Sequence, residues 1–140
     1  MPLKLPVASV VALAGPDAVR AAVCAALDED SARCSAGHAN LRVARLGARP
    51  GLTLAERMTM LAEATTPVVL VDRLTDGLTS TQRRTVLAGL RALADRGATV
   101  VVDDADPVAA LAVADAALRV DATGRVELEE LPDVAALLAG

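Results

Sequence analysis

Val68-Val69-Leu70-Val71-Asp72 and Thr99-Val100-Val101-Val102-Asp103-Asp104 decide the fold of this 140-residue chain. Each is a short, uniformly apolar, mostly β-branched run that stops abruptly at a carboxylate. A strand with one wet face alternates apolar and polar residues, whereas a strand buried on both faces does not. Both runs therefore read as central strands of a parallel sheet, and such a sheet needs helices on each face. The segment between them supplies one. From about Thr81 a helical spacing turns Val86, Leu87, Leu90, Leu93 and Ala94 to one side before Gly97 ends it, and Arg73 to Ser80 is the loop that precedes it.

The same alternation extends outward in both directions. Val7 to Ala14 is a first strand, ending at Gly15-Pro16-Asp17, where Asp17 is placed to cap a helix that runs through Val19, Val23 and Ala26 to about Leu27. Asp28 to Asn40 is polar and reads as a loop. Leu41 to Leu46, interrupted by Arg42 and Arg45, has the mixture expected of a half-exposed or edge strand. Thr53 with Glu56 three residues later forms a capping box, and Leu54, Met58, Leu61 and Ala62 then share a face. After Asp104, Asp106 caps a helix with Pro107 in its first turn and with Val108, Leu111 and Ala112 turned to the core. Ala117 to Val120 and Arg125 to Leu128 flank Asp121-Ala122-Thr123-Gly124 as a closing β-hairpin, and Pro132 to Ala139 has the pattern of a last short helix. The chain reads as a single α/β domain over residues 1–140, without repeat or linker.

Composition narrows the function. The chain is 54% hydrophobic and holds no Phe, Tyr, Trp or Ile, so its core is built from Val, Leu and Ala. A net charge of −4 opposes an electrostatic grip on nucleic acid, and base stacking has no ring to use. Two cysteines, Cys24 and Cys34, and one histidine, His38, form no zinc-ligand spacing, disulfide scaffold or catalytic triad. No apolar stretch approaches the roughly 20 residues of a membrane span, and the apolar start fits a buried strand better than a cleaved leader. A cytoplasmic protein follows, and any link to the inner membrane would be peripheral, through a partner.

The order of these segments resembles the nucleotide-binding domain of ABC transporters, most clearly from Pro67 to Val126. Val68 to Asp72 is similar to that family's Walker B strand, Thr75-Asp76-Gly77-Leu78 to the turn before its D-loop, and Arg83 to Gly97 to the helix that follows. Thr99 to Val102 resembles the strand leading to the switch histidine, with Asp106-Pro107, Ala114-Asp115 and Gly124-Arg125-Val126 in matching order behind it. The resemblance implies a P-loop NTPase-like fold in shortened form: a mostly parallel sheet with helices on both faces and a C-terminal β-hairpin. It also implies that the strands ending at Gly15, Asp72 and Asp103 are mutually parallel, with the Gly15 strand between the other two.

Most of the motifs are missing. Val11 to Pro16 resembles the strand entering a phosphate loop, whose pattern is G-x-x-x-x-G-K-[ST], but only Gly15 matches. Arg20 stands at the second glycine, Ala21 at the lysine and Ala22 at the Ser/Thr, while Asp17 puts a carboxylate where a helix N-terminus would attract phosphate. Arg73 occupies the general-base position, Ala105 the switch-histidine position and Thr79 the D-loop aspartate. No LSGGQ-like signature exists, and the span from Asp28 to Pro67 is too short for the family's helical arm. Leu52 to Arg57 echoes either the entrance to that arm or a remnant of the signature helix.

No catalytic residue is expected, and no required cofactor. Gly15 and Asp72 are vestigial cofactor-binding positions, and Asp72 with Asp104 is the candidate metal pair, set on an acidic crevice that also includes Asp103 and Asp106. Arg20 reads as a surface arginine, Arg83 and Arg84 as partners for the acidic rim, Cys24 as helix core, and Cys34 and His38 as loop residues. The expected function is a non-catalytic ABC-ATPase-like subunit or regulator that binds a protein partner, either a membrane permease or an active ABC ATPase, with a homodimer as a further arrangement. Two alternatives stand beside it: a weak ATP- or Mg-binding switch using Asp72 and the acidic rim, and an unrelated α/β interaction module.

Overall fold

The computed structural model describes residues 5–34, 42–123 and 125–131, with only the backbone given from 27 to 34. The chain runs β1 (Ser9–Ala14), α1 (Asp17–Cys34), β2 (Val43–Gly47), α2 (Leu54–Glu63), β3 (Val68–Asp72), α3 (Ser80–Asp95), β4 (Thr99–Asp103), α4 (Pro107–Val113), β5 (Ala116–Val120) and β6 (Val126–Glu130). The expected last helix and His38 fall outside the described residues.

One six-stranded sheet results, in the order β2-β3-β4-β1-β5-β6. The first five strands are parallel, and β6 returns antiparallel to β5 with Val120 opposite Val126. The expected parallel pairing and closing hairpin are both present. The expected neighbour order is corrected: β4, not β1, sits in the middle of the trio, so Asp72 pairs in register with Asp103 and β1 lies on the far side of β4. Parallel strands joined by helical crossovers carry no local cue to which of them are neighbours.

The two sheet faces are packed differently. On one, Val10, Ala12, Val69, Val71, Val100 and Val102 meet Leu61, Val86, Leu87, Leu90 and Leu93 of α2 and α3, together with Ala110 of α4. On the other, Val11, Leu13, Leu70, Val101 and Leu118 meet Val23 and Cys24 of α1. Every residue of β4 is buried. At about 1.5–3 kcal/mol for each Val or Leu taken from water, these strands supply much of the driving force for folding.

The helix boundaries follow local chemistry. The Thr53–Glu56 capping box forms in both directions at 3.1 Å. A second capping box, Thr79 with Gln82, opens α3 and goes unnoted in the sequence reading. Asp106 caps α4 as expected, accepting the Ala109 N–H at 3.1 Å. Three expectations are corrected. α1 continues to Cys34, because Asp28 to Ser31 are polar without being helix breakers. Asp17 is its first helical residue rather than its cap, with the Val19 and Arg20 N–H groups bonding the Pro16 carbonyl. In α2 and α4, Ala62, Val108 and Ala112 face solvent, while Arg57, Leu61 and Ala110 are the buried residues.

Candidate functional site

The carboxyl ends of β1, β3 and β4 open on the same sheet edge, beside the N-terminus of α1. The register brings Asp72 and Asp103 side by side there. Asp103 has 1% of its surface exposed. Burial pushes its carboxyl up from the ordinary range, with Asp72 adding to the shift and Arg20 and Arg73 opposing it.

Arg20 lies inside, not on the surface, with 2% of its area exposed. One turn into α1, its side chain points back along the helix into the edge. Nη1 donates to the Asp103 carboxylate and, at 2.9 Å, to the Asp104 carbonyl, while Nη2 donates to Asp17. Among the described residues its Nε has no partner. Arg73 closes over the same group in a left-handed backbone conformation, φ 57°. Its N–H donates to the Asp103 carbonyl at 2.8 Å, and its guanidinium lies 3.6 Å from both Asp17 and Asp103.

Asp72 belongs to Arg45 of the neighbouring edge strand, whose Nε and Nη2 donate to Oδ2 at 3.0 and 2.5 Å. Asp104, also buried, turns away from Asp72. It accepts from Thr75 Oγ1 at 2.5 Å and from the Asp106 N–H at 2.9 Å, with Arg83 Nε at 3.3 Å. The expected partnership of Arg83 with the acidic rim is therefore formed. Carboxylates at Asp17, Asp72, Asp103 and Asp104 face guanidinium groups at Arg20, Arg45, Arg73 and Arg83. The edge is a neutralised network, not an acidic crevice.

Cys24 lies one turn beyond Arg20 on α1 and is fully buried. Burial pushes its thiol up to about 12, helped by Asp72 and Asp103 and opposed by Arg45 and Arg20. Its sulfur and a carboxylate oxygen from each of Asp72 and Asp103 lie within 4.8 Å of one another. Gly15 is required by packing: its φ is +137°, and a Cβ there would fall 2.0 Å from the Val120 carbonyl oxygen. Ala21 and Ala22 are exposed on α1, as is Ala105 after β4. Chemically, the residues at the phosphate-loop positions offer neither a free cation nor a hydroxyl for a metal, and the guanidinium present is already committed to three protein oxygens.

Arg57, missed by sequence reading, is 5% exposed and among the described residues bonds no carboxylate. Its guanidinium donates to the Leu52 carbonyl at 3.1 and 2.8 Å, to Leu74 at 2.8 Å and to Asp76 at 2.6 Å. It bolts the loop before α2 to the turn after β3. The only sequence signal was its place four residues before Leu61, on the inward stripe of α2.

Neither a protein-family model nor a curated protein matches the chain. Solved structures do. An ATP-binding subunit of an ABC transporter superposes with TM-score 0.61 at 12% identity, over 98% of this chain and 85% of that one. A dimeric ATP-binding cassette in a post-hydrolysis state, bound to ADP and Pi, gives 0.65 at 14% identity over 94% and 89%. A bacterial Atm1-family ABC exporter with ATP bound gives 0.58 at 15% identity, over 98% of this chain and 36% of that one. At these identities the likeness establishes the fold, which is that of the ABC ATP-binding cassettes.

Proposed function

Starting from that fold, we propose that the chain is a non-catalytic ABC-ATPase-like subunit or regulator that docks on a membrane permease or on an active ATPase partner. The observation that carries this reading is Arg20. It stands at the second phosphate-loop glycine, and its buried guanidinium is tied to Asp17, Asp103 and the Asp104 carbonyl. A phosphate entering there would have to displace Asp103 from a buried ion pair and compete with the exposed Asp17 carboxylate beside it. Beside it, Ala21 and Ala22 provide no lysine or hydroxyl, and Arg73 replaces a general base with a cation already facing Asp103.

A cassette fold without these groups still has surfaces to offer, and known folds commonly host functions that differ from the ancestral chemistry. The structures that resemble it include an exporter and a dimeric cassette, which makes a permease, a cassette partner or a second copy the natural candidates. Among the described residues no helix is long and apolar enough to cross a membrane, so contact with a bilayer would run through the partner.

Isothermal titration with ATP, with and without Mg²⁺, tests the reading. The expected result is no dissociation constant tighter than about 1 mM, because cation, phosphate nest and adenine-stacking ring are missing together. Phosphate release should match a buffer blank. Micromolar binding would transfer support to the nucleotide-switch alternative, and turnover abolished by Asp72→Ala would overturn the non-catalytic proposal.

A further inference from the structure

We propose that Cys24, Asp72 and Asp103 form a binding site for a thiophilic divalent cation of the zinc class. The three ligand atoms come from α1, β3 and β4 and lie within 4.8 Å of one another. In a tetrahedral zinc site, with metal–ligand bonds of 2.0–2.3 Å, ligand atoms stand about 3.5 Å apart, so a contraction of at most about 1.3 Å completes the geometry. The site differs from the Asp72–Asp104 pair expected from sequence, since Asp104 is held by Thr75, the Asp106 N–H and Arg83.

The thiol itself points to a ligand. Cys24 is fully buried and makes no hydrogen bond among the described residues, although its sulfur faces two carboxylates rather than hydrocarbon alone. A cation between these groups would give the buried sulfur its partner and bind the carboxylate oxygens alongside the arginines that already pair with them. As the metal–sulfur bond forms, the thiol proton leaves to solvent.

The arginines do not block this arrangement. On Asp72, Arg45 donates to Oδ2. Arg20 uses only Oδ1 of Asp103, whose other oxygen has just the 3.6 Å approach of Arg73. Each carboxylate thus keeps an oxygen outside its hydrogen bonds, while the bonded oxygen fixes its orientation, as outer-shell donors do around metal ligands. The thiolate selects a soft or borderline cation over Mg²⁺. The Asp72 side chain is 19% exposed, which gives the fourth coordination position to water.

This site stands independently of the proposed docking function. The test is titration of the folded chain, carrying Cys34→Ser to remove the second thiol, with Co²⁺ followed by Zn²⁺ competition. One equivalent of Co²⁺ should produce a thiolate-to-metal charge-transfer band that Zn²⁺ abolishes, together with a zinc-dependent rise in Tm. Adding Cys24→Ala should remove both, and Asp72→Asn, on the partly exposed side, should weaken affinity at least about tenfold. No band at stoichiometric Co²⁺, a band that survives Cys24→Ala, or an affinity unchanged by Asp72→Asn would each overturn the proposal.

Discussion

Arg20 and Arg57 are both buried, both on helices, and solve the problem of an interior cation in opposite ways. Arg20 is matched by charge, to Asp103 and Asp17. Arg57 is matched by dipoles, through four hydrogen bonds to the carbonyls of Leu52, Leu74 and Asp76. An ion pair belongs to two side chains and can be removed as a pair, whereas a cation held by main-chain carbonyls is part of the backbone's own hydrogen-bond accounting. The charged edge of the sheet is therefore replaceable chemistry, and the bolt between the α2 and α3 loops is architecture.

The largest expected effect follows from that distinction. Arg20→Met should destabilise by about 3–5 kcal/mol in urea unfolding, because it leaves Asp103 charged and buried with only Arg73 near it. The double change Arg20→Met with Asp103→Leu should return stability to within about 1 kcal/mol of the starting chain or above it. Arg57→Met should cost about 2–4 kcal/mol, as the buried carbonyls of Leu52 and Leu74 and the part-buried carbonyl of Asp76 lose their donor. No single second substitution should restore it, since its partners are not side chains. Rescue of Arg57→Met by a change at Asp76, or failure of the Arg20–Asp103 rescue, would erase the contrast.

A smaller effect sharpens the role of charge at an exposed pair. Asp115 accepts from Arg91 at 3.0 and 2.6 Å and from the Val10 N–H at 2.8 Å. The Arg91 hydrogen bond chiefly, with the Val10 bond adding, holds its carboxyl below the usual value. A depressed folded pKa gives stability that is complete above the unfolded value, near 3.9, and lost as pH falls through the folded one. Arg91→Met should flatten that acid limb by at most about 1 kcal/mol, because the two side chains are 45% and 41% exposed and screened by solvent. An unchanged acid limb would show that the pair contributes nothing.

The smallest expected change is at Gly89, where α3 approaches α2. A Cβ there would lie 3.0 Å from the terminal methyl of Met58. Gly89→Ala gains about 1 kcal/mol of helix propensity, and displacing a flexible methionine end costs about as much. The net change in Tm should be within a few degrees, and a large loss would mean that Met58 has nowhere to go.

What could be read in the sequence was what repeats. The runs at Val68 to Asp72 and Thr99 to Asp103 are uniformly apolar, and burial on both faces is the only setting that suits them. The Thr53–Glu56 and Asp106 caps are equally local. The charged edge was half legible: its carboxylates mark strand ends, but nothing in the pattern says which arginine reaches them. Arg20 read as a surface residue because α1 is so rich in alanine that no stripe separates inside from outside, and Val108 was turned inward for a similar reason. Strand order was hidden because pairing between parallel strands is set by crossovers, not by neighbouring residues.

Arg96 adds a consequence in time rather than in space. α2 has no basic residue in its own last turn. The guanidinium of Arg96, at the end of α3, instead reaches the Leu61, Ala62 and Ala64 carbonyls at 3.3, 3.4 and 3.2 Å. The C-terminal cap of one helix is thus borrowed from a residue more than thirty positions later in the chain. During folding α2 gains this terminal support only once α3 has formed and docked. Contacts absent from the transition state act on the rate of unfolding and leave the rate of folding nearly unchanged. Arg96→Met therefore reads out when the two helices meet: faster unfolding with refolding unchanged places the contact after the transition state, and slower refolding places it within that state.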